Sequence, residues 1–432
     1  MTYKETIDFL FTRLPMFSRI GEAAYKKDLT NTLALCNLSD NPQRKFKSIH
    51  IAGTNGKGSV SHMLAAILQT AGYKTGLYTS PHLNDFRERI RINGTPIEEQ
   101  YVIDFTQKML SHIPDIEPSF FELTVVMAFS YFADQEVDIA IIETGLGGRL
   151  DSTNVIHPEL SIITNIGWDH MNLLGNTKAL IAGEKAGIIK SKTPVIIGES
   201  IPETRAVFEQ KSLEMEAPVF YAEEEWFIMD YKIGHETQLK IKGEKGEIFE
   251  LTLDLSGIYQ IKNVLAVLSA VKQLHISGWL INTSQILEAL SNVQLLTGLN
   301  GRWQKWKNDS RIVLDVGHNE DGIRQIMEQI KISNFDQLHI VMGMVKDKDI
   351  QNILKLFPND AIYYFTQASL VRALPAEDLK ERANLFQLKG ASFSDSSSAI
   401  EMARKSAQPN DMILICGSVF LVGEAITWLN EN

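Results

Sequence analysis

Residues 49–68, IHIAGTNGKGSVSHMLAAIL, set Gly53, Thr54, Asn55, Gly56, Lys57, Gly58 and Ser59 between an apolar run and an amphipathic helical pattern. Glycines at such a corner let backbone N–H groups converge on phosphate oxygens, and the start of the helix adds partial positive charge. Lys57 can then reach the terminal phosphates, and the Ser59 hydroxyl can coordinate magnesium. The pattern departs from GxxxxGK[ST], with Ile51 at the first glycine position and Gly58 at the hydroxyl position. The plain alternative is a glycine-rich turn with an exposed lysine. The strand–loop–helix context favours phosphate binding.

A second group of chemically capable residues lies in DIAIIETGLGGRLDSTNVI. An apolar strand ends at Glu143, which puts a carboxylate at the C-terminal edge of a parallel sheet, where nucleotides bind. Magnesium on a triphosphate requires hard oxygen ligands, which suits Glu143. By itself a strand-end glutamate reads as a solvated carboxylate; with the glycine-rich loop upstream it reads as a metal partner. Gly145, Gly147 and Gly148 would let the backbone approach a ligand. SIITNIGWDHMNLLG brings another strand up to Asp169 and His170, where a neutral imidazole can ligate a metal and the aspartate can orient it. IAGEKAGIIK places Lys185 on a helix, ordinarily a solvated position. Near residue 300, Arg302 could donate its charge across a cleft to a transferred phosphoryl group. Asp315 and His318, just after a strand, could meet phosphate or ribose.

The elements that must position these groups follow from periodicity. Strands are expected at 48–52, 74–78, 138–142, 160–164 and Val195–Ile197, separated by helical patterns, which implies a mostly parallel sheet. Residues 218–256 read as strands and tight turns, a small antiparallel insertion. Helical patterns return at 261–274 and 286–291, and LLTGLNGRW breaks periodicity with two glycines near residue 296. Beyond it, strands at 312–314, Leu338–Met342, 361–365 and Met412–Cys416 suggest a Rossmann-like sheet. Its first turn reads DVGHNEDG rather than GxGxxG, so no dinucleotide site is inferred.

The chain of 432 residues has room for two or three domains. Its 44% hydrophobic and 22% charged residues suit substantial cores. A net charge of −11 argues against a nucleic-acid surface. No run of about 18 apolar residues and no signal-peptide core occurs, so the expectation is a cytoplasmic protein without a membrane span. Cys36 and Cys416 read as two buried thiols.

With these residues in place, the sequence resembles the folylpolyglutamate synthase/dihydrofolate synthase family of the Mur-ligase superfamily. HIAGTNGKGS, TSPHLNDFRERIRING, FFELT, IIETGLGGRLDSTNVI, TNIGWDHMNLLG, IAGEKAGIIK, SGIYQIKN, GRW, LDVGHN and CGSVFLVGEA carry the likeness, in the family's order. Glu320, where the family often has proline, is a local departure. The resemblance implies an α/β fold: a P-loop Mur-ligase-like domain over residues 1–295 with a small antiparallel β insertion, then a Rossmann-like C-terminal domain over 296–432. It implies ATP with Mg²⁺, two ions in the family, held by Ser59, Ser80, Glu143, His170 and a Lys185 carbamoylated by CO₂. A monovalent cation such as K⁺ is a further expectation. Gln260, Asn263, Arg302, Asp315 and His318 join the glycine-rich loop around the nucleotide, with Lys57, Lys185, His170 and Arg302 as the catalytic set. The acceptor, a folate or dihydropteroate, would meet His82, Arg87, Phe121 and Asp151. Arg87, Arg89 and Arg91 alternate and could line one strand face. L-Glutamate is the second substrate, and a monomer is expected. The competing readings are a Mur-type ligase acting on another carboxylate and a nucleotide-binding regulator without catalysis. Only about 50 residues precede the loop, too few for the N-terminal domain of a cell-wall Mur ligase.

Overall fold

Apolar runs that alternate with helices build two parallel sheets, and the ends of their strands face a common cleft. The computed structural model describes every residue except 22–25, 27 and 347. The first sheet contains β1 (Lys47–Ala52), β2 (Thr75–Tyr78), β3 (Ile90–Ile92), β4 (Thr95–Pro96), β5 (Ile139–Glu143), β6 (Leu160–Ile163), β7 (Val195–Ile197) and β8 (Val219–Tyr221). Its order is β4-β3-β2-β5-β1-β6-β7-β8, parallel from β2 to β8 and antiparallel at β3 and β4. The fully buried patterns of β2, β5, β6 and β7 match a sheet covered on both faces. One face packs on helices Lys57–Thr70 and Gln260–Ile276, the other on Phe120–Asp134.

A separate three-stranded antiparallel sheet consists of β9 (Trp226–Ile233), β10 (Thr237–Gly243) and β11 (Ile248–Leu253). The insertion is therefore narrower than 218–256. Val219–Tyr221 leaves it to pair in parallel with Val195–Ile197, because helix Pro202–Glu214 carries the chain back across the first sheet. Leu239, Ile241, Leu251 and Leu253 turn inward and join the larger apolar core beside Trp226.

The second sheet has β12 (Gln304–Trp306), β13 (Asp309–Leu314), β14 (Leu338–Met342), β15 (Ile362–Phe365), β16 (Gly390–Ser392) and β17 (Met412–Cys416). Its order is β12-β13-β17-β14-β15-β16, with only β12 antiparallel. Cys36 and Cys416 are both free and buried. No helix among the described residues is long and apolar enough to cross a membrane.

Candidate active site

β1 ends at Ala52, and the chain then turns where only glycine fits. Gly53 has φ +154, and a Cβ on it would lie 1.8 Å from Thr164 Oγ1. Gly56, at φ +83, caps helix Lys57–Thr70 without any side-chain bond to its first N–H groups. The loop is laced to the segment after β6: Thr54 N donates to Asn165 O at 3.0 Å and Asn55 N to Asn165 Oδ1 at 2.9 Å. A helix start with no side-chain cap, on a braced loop, leaves N–H groups free to meet an anion. Lys57 Nζ is parked on the carbonyls of Gly53 and Thr54 at 2.9 and 3.2 Å.

Around this loop the structure gathers the other candidates into one cleft of ≈ 540 Å³. Ser59, Ser80, Glu143, His170, Lys185, Asn263, Arg302, Asp315 and His318 all line it. Gln260 stands behind, donating from Nε2 to Ser59 Oγ at 3.1 Å while accepting from Asn263 Nδ2 at 2.8 Å. Gly58 is the point where Arg302 and Glu143 converge: a Cβ there would lie 3.4 Å from Arg302 Nη2 and 3.7 Å from Glu143 Oε2. Glu143 is 4% exposed and accepts from Ser80 N at 3.3 Å. Burial raises its pKa, opposed by Lys57 and Arg302.

Lys185 is not the solvated helix lysine its position suggests. It is 4% exposed, and Nζ donates to Gly53 O at 2.8 Å. Burial, reinforced by Lys57, lowers its pKa to about 7, which leaves much of the amine neutral at physiological pH. His170 occupies the left-handed region at φ +48, uncommon outside glycine. Burial lowers its pKa to about 3, so the imidazole is neutral and able to ligate a cation. Beside it, Asp169 meets Lys348 in a buried ion pair and accepts from Asn319 Nδ2 at 3.2 Å. Burial opposes its ionisation, yet the Lys348 ammonium and a hydrogen bond from His318 hold its carboxyl well below the usual range. Asp315 accepts from Tyr259 Oη at 2.6 Å and from the N–H groups of Trp303 and Gly317.

A second cavity adjoins the cleft, sharing Ser80, Pro81, Gly145, Leu146, His170, His318 and Val419 with it. Its walls carry Phe17, Phe120, Phe121 and Phe420. Of the four acceptor candidates, Phe121 and Asp151 line it, whereas His82 and Arg87 do not. Asp151 fastens the floor, accepting from Gly145 N, Leu146 N and Thr153 N at 2.8–3.0 Å. Arg87 is turned away, bound to Asp85 at 2.7 Å and to Glu99 at 3.4 Å. His82 accepts from Arg89 Nε at 2.7 Å and stacks on Phe11. The three arginines do not share a strand face. Asp85 caps a 3₁₀ turn over Phe86–Arg89, so Arg87 and Arg89 leave it in different directions and only Arg91 lies in β3. Arg89 takes the place in the cavity that was expected for Arg87.

Residues 51–271 match the Mur ligase middle domain, and residues 301–419 match the Mur ligase, glutamate ligase domain. A dihydrofolate synthase/folylpolyglutamate synthase of Bacillus subtilis (strain 168) is 33% identical over 401 residues, covering 89% of this chain and 90% of its own. The chain belongs to the folylpolyglutamate synthase/dihydrofolate synthase family. The folylpolyglutamate synthase of Lacticaseibacillus casei is 30% identical, with 98% and 97% of the two chains covered. Among solved structures, E. coli FolC in complex with DHPP and ADP superposes with a TM-score of 0.87 at 27% identity, over 100% of this chain and 98% of that one. Mycobacterium tuberculosis folylpolyglutamate synthase complexed with ADP and AMPPCP gives 0.88 at 29% identity, over 100% and 99%. A folylpolyglutamate synthase/dihydrofolate synthase is an ATP-dependent ligase that adds glutamate to a folate acceptor, and two adjoining cavities have room for a nucleotide and an acceptor. Arg89 was grouped with Arg87 and Arg91 on a strand face it does not share, while Asn165, the ion pair of Asp169 and Lys348 were not singled out in the sequence. Asn165 sits in a motif read for Asp169 and His170, while the Asp169–Lys348 pair spans 179 positions and left no local signal.

Proposed function

We propose that this protein adds L-glutamate both to dihydropteroate and to reduced folates, by way of an acyl phosphate. The observation that carries the reading is the shared wall: a nucleotide in the cleft and an aromatic acid in the second cavity would meet at Ser80, His170 and His318. In this reading residues 1–295 form the ATP-binding domain and 296–432 the glutamate ligase domain, with the chain acting as a cytoplasmic monomer.

A carboxylate does not condense with an amine in water, because hydroxide is a poor leaving group. Attack of the acceptor carboxylate on the γ-phosphorus forms a C–O–P linkage and releases ADP. Lys57 and Arg302 stand where negative charge builds on the transferred group. The glutamate amine then attacks the acyl carbon, and phosphate leaves with the oxygen. Gly53, Thr54, Asn55, Gly56 and Gly58 hold the phosphates through backbone N–H groups, while Gln260, Asn263, Asp315 and His318 frame the nucleoside side.

Among the described residues no three His, Cys, Asp or Glu side chains converge as a metal cage. Mg²⁺ on a nucleotide takes few protein ligands, the rest being phosphate oxygens and water. The buried Glu143, with Ser59, Ser80 and the neutral His170, fits that donor set. Bound there, Mg²⁺ would supply charge neutralisation at the transferred phosphoryl group. The Lys185 amine, neutral in part at pH 7, can add CO₂ with loss of one proton and become an anionic oxygen ligand for a second ion. K⁺ remains part of the proposal as an activator.

The test is ADP release from purified protein with Mg²⁺-ATP and L-glutamate, adding dihydropteroate or tetrahydrofolate in parallel, with and without K⁺. Turnover with both acceptors is expected. Tetrahydrofolate alone would reduce the activity to polyglutamylation, and no glutamate-dependent turnover with either would sink the reading.

A further inference from the structure

The second cavity contains a buried cation that the reaction above leaves without a task. Arg89 is 8% exposed and lines that cavity, at the end of the 3₁₀ turn that Asp85 caps. Its guanidinium lies 5.2 Å from the centre of the Phe120 ring. Its Nε donates to His82 Nδ1 at 2.7 Å. His82 is neutral, since burial lowers its pKa to about 3, so it offers a lone pair and no charge. Among the described residues no carboxylate forms an ion pair with Arg89; its neighbour Arg87 takes Asp85 and Glu99. A guanidinium carries five donors and keeps its proton, and a buried charge without a counter-ion is costly. Burial lowers the pKa of Arg89, opposed by the Tyr78 hydroxyl and, without direct contact, by Glu143 and Glu88.

The geometry points to Arg89 as the group that receives the acceptor's carboxylate and sets the cavity's demand for an acid. The planar ring system of the acceptor packs among Phe120, Phe121 and Phe420, and its carboxylate accepts from the outer guanidinium nitrogens. There it also faces the shared wall at Ser80 and His170, where the nucleotide's terminal phosphate arrives. His82 fixes the guanidinium from behind. His82 lies outside the cavity, so its part is to position Arg89 rather than to touch the acceptor. A carboxylate held in this way keeps its charge in a low-dielectric pocket, so neutral isosteres are rejected at binding.

This assignment rests on the second cavity being the acceptor site, and the experiment separates the two. Binding of pteroate and of its carboxamide, identical but for the charge, is measured by calorimetry on the full chain, on Arg89→Gln and on Arg89→Lys, with ADP affinity as the control for folding. The unsubstituted chain should prefer the carboxylate by roughly 10- to 100-fold, the range of a charge-assisted hydrogen-bonded pair. That preference should vanish in Arg89→Gln and return in part in Arg89→Lys. A preference that survives Arg89→Gln, or an equal loss for both ligands, overturns the assignment and leaves the acceptor site standing. Failure of both ligands to bind the unsubstituted chain, with ADP still bound, overturns the acceptor site and the assignment with it.

Discussion

Two strand–loop–helix corners face each other across the nucleotide cleft, and they treat the helix start in opposite ways. After β1, helix Lys57–Thr70 begins at Gly56 with no side-chain cap and no acid in its first turn. After β13, helix Glu320–Lys331 begins at Asn319, whose side chain accepts from Gly322 N at 2.8 Å, and its first turn carries Glu320 and Asp321. The first corner keeps its N–H groups and partial charge for an anion. The second has already neutralised both and repels phosphate. Its polar groups serve as fasteners instead: Asp321 accepts from Trp168 N at 3.0 Å, and Asn319 exchanges hydrogen bonds with Asn55. Similar topology therefore yields a binding site in one sheet and a clasp in the other, according to what caps the helix.

The contrast can be broken most directly at Lys57. Lys57→Ala should lower ADP release by roughly 10²–10³ with the circular dichroism unchanged; near-normal turnover would remove the first corner from catalysis. A milder change sharpens the geometry. Gly56→Ala puts a methyl group 2.3 Å from Asn263 Oδ1 at a φ of +83, and the KM for ATP should rise about tenfold or more from strain alone. At the second corner the expected effect is on stability. Asn319→Ala should cost about 0.5–2 kcal/mol in urea unfolding, with ADP affinity little changed; a lost nucleotide site at unchanged stability would contradict the clasp. A further effect is on pH dependence. Lys185 has a folded pKa of about 7 against about 10.4 unfolded. The unfolded chain binds more protons between these values, so in CO₂-free buffer this residue makes stability rise with pH across that window. Thermal unfolding of Lys185→Met should show a flatter rise, and an identical slope would mean the lysine is not held as a buried amine.

Much of this was legible in the residues. The apolar runs Val195–Ile197, Leu338–Met342 and Met412–Cys416 became strands without adjustment, because fully covered parallel strands need no alternation. Lys185 could have been read as buried: Ile181, Ala182, Lys185 and Ala186 form the inner face of helix Lys178–Ala186 at helical spacing. Arg87 and Arg89 misled because a spacing of two suggests a strand, while the Asp85 capping box winds a 3₁₀ turn there. Val219–Tyr221 misled because its neighbours in sequence belong to the insertion and its partner does not. The Asp169–Lys348 contact joins two sheets, and no local pattern announces it.

The boundary between those sheets has a consequence of its own. It is stitched by Asn55 with Asn319, Asp169 with Lys348, and Tyr259 with Asp315. Among the described residues the large apolar clusters keep mostly to one sheet or the other, with Leu83 packing across onto the second. Water can replace most of these bonds one for one, so wetting this seam has a small net free energy, whereas parting either core does not. Parting the two halves would therefore break polar contacts rather than a core, and the paired Asn55 and Asn319, each giving and taking a hydrogen bond, would favour one alignment on return. A bulky product needs such a door, and a reactive acyl phosphate needs the same door shut against hydrolysis.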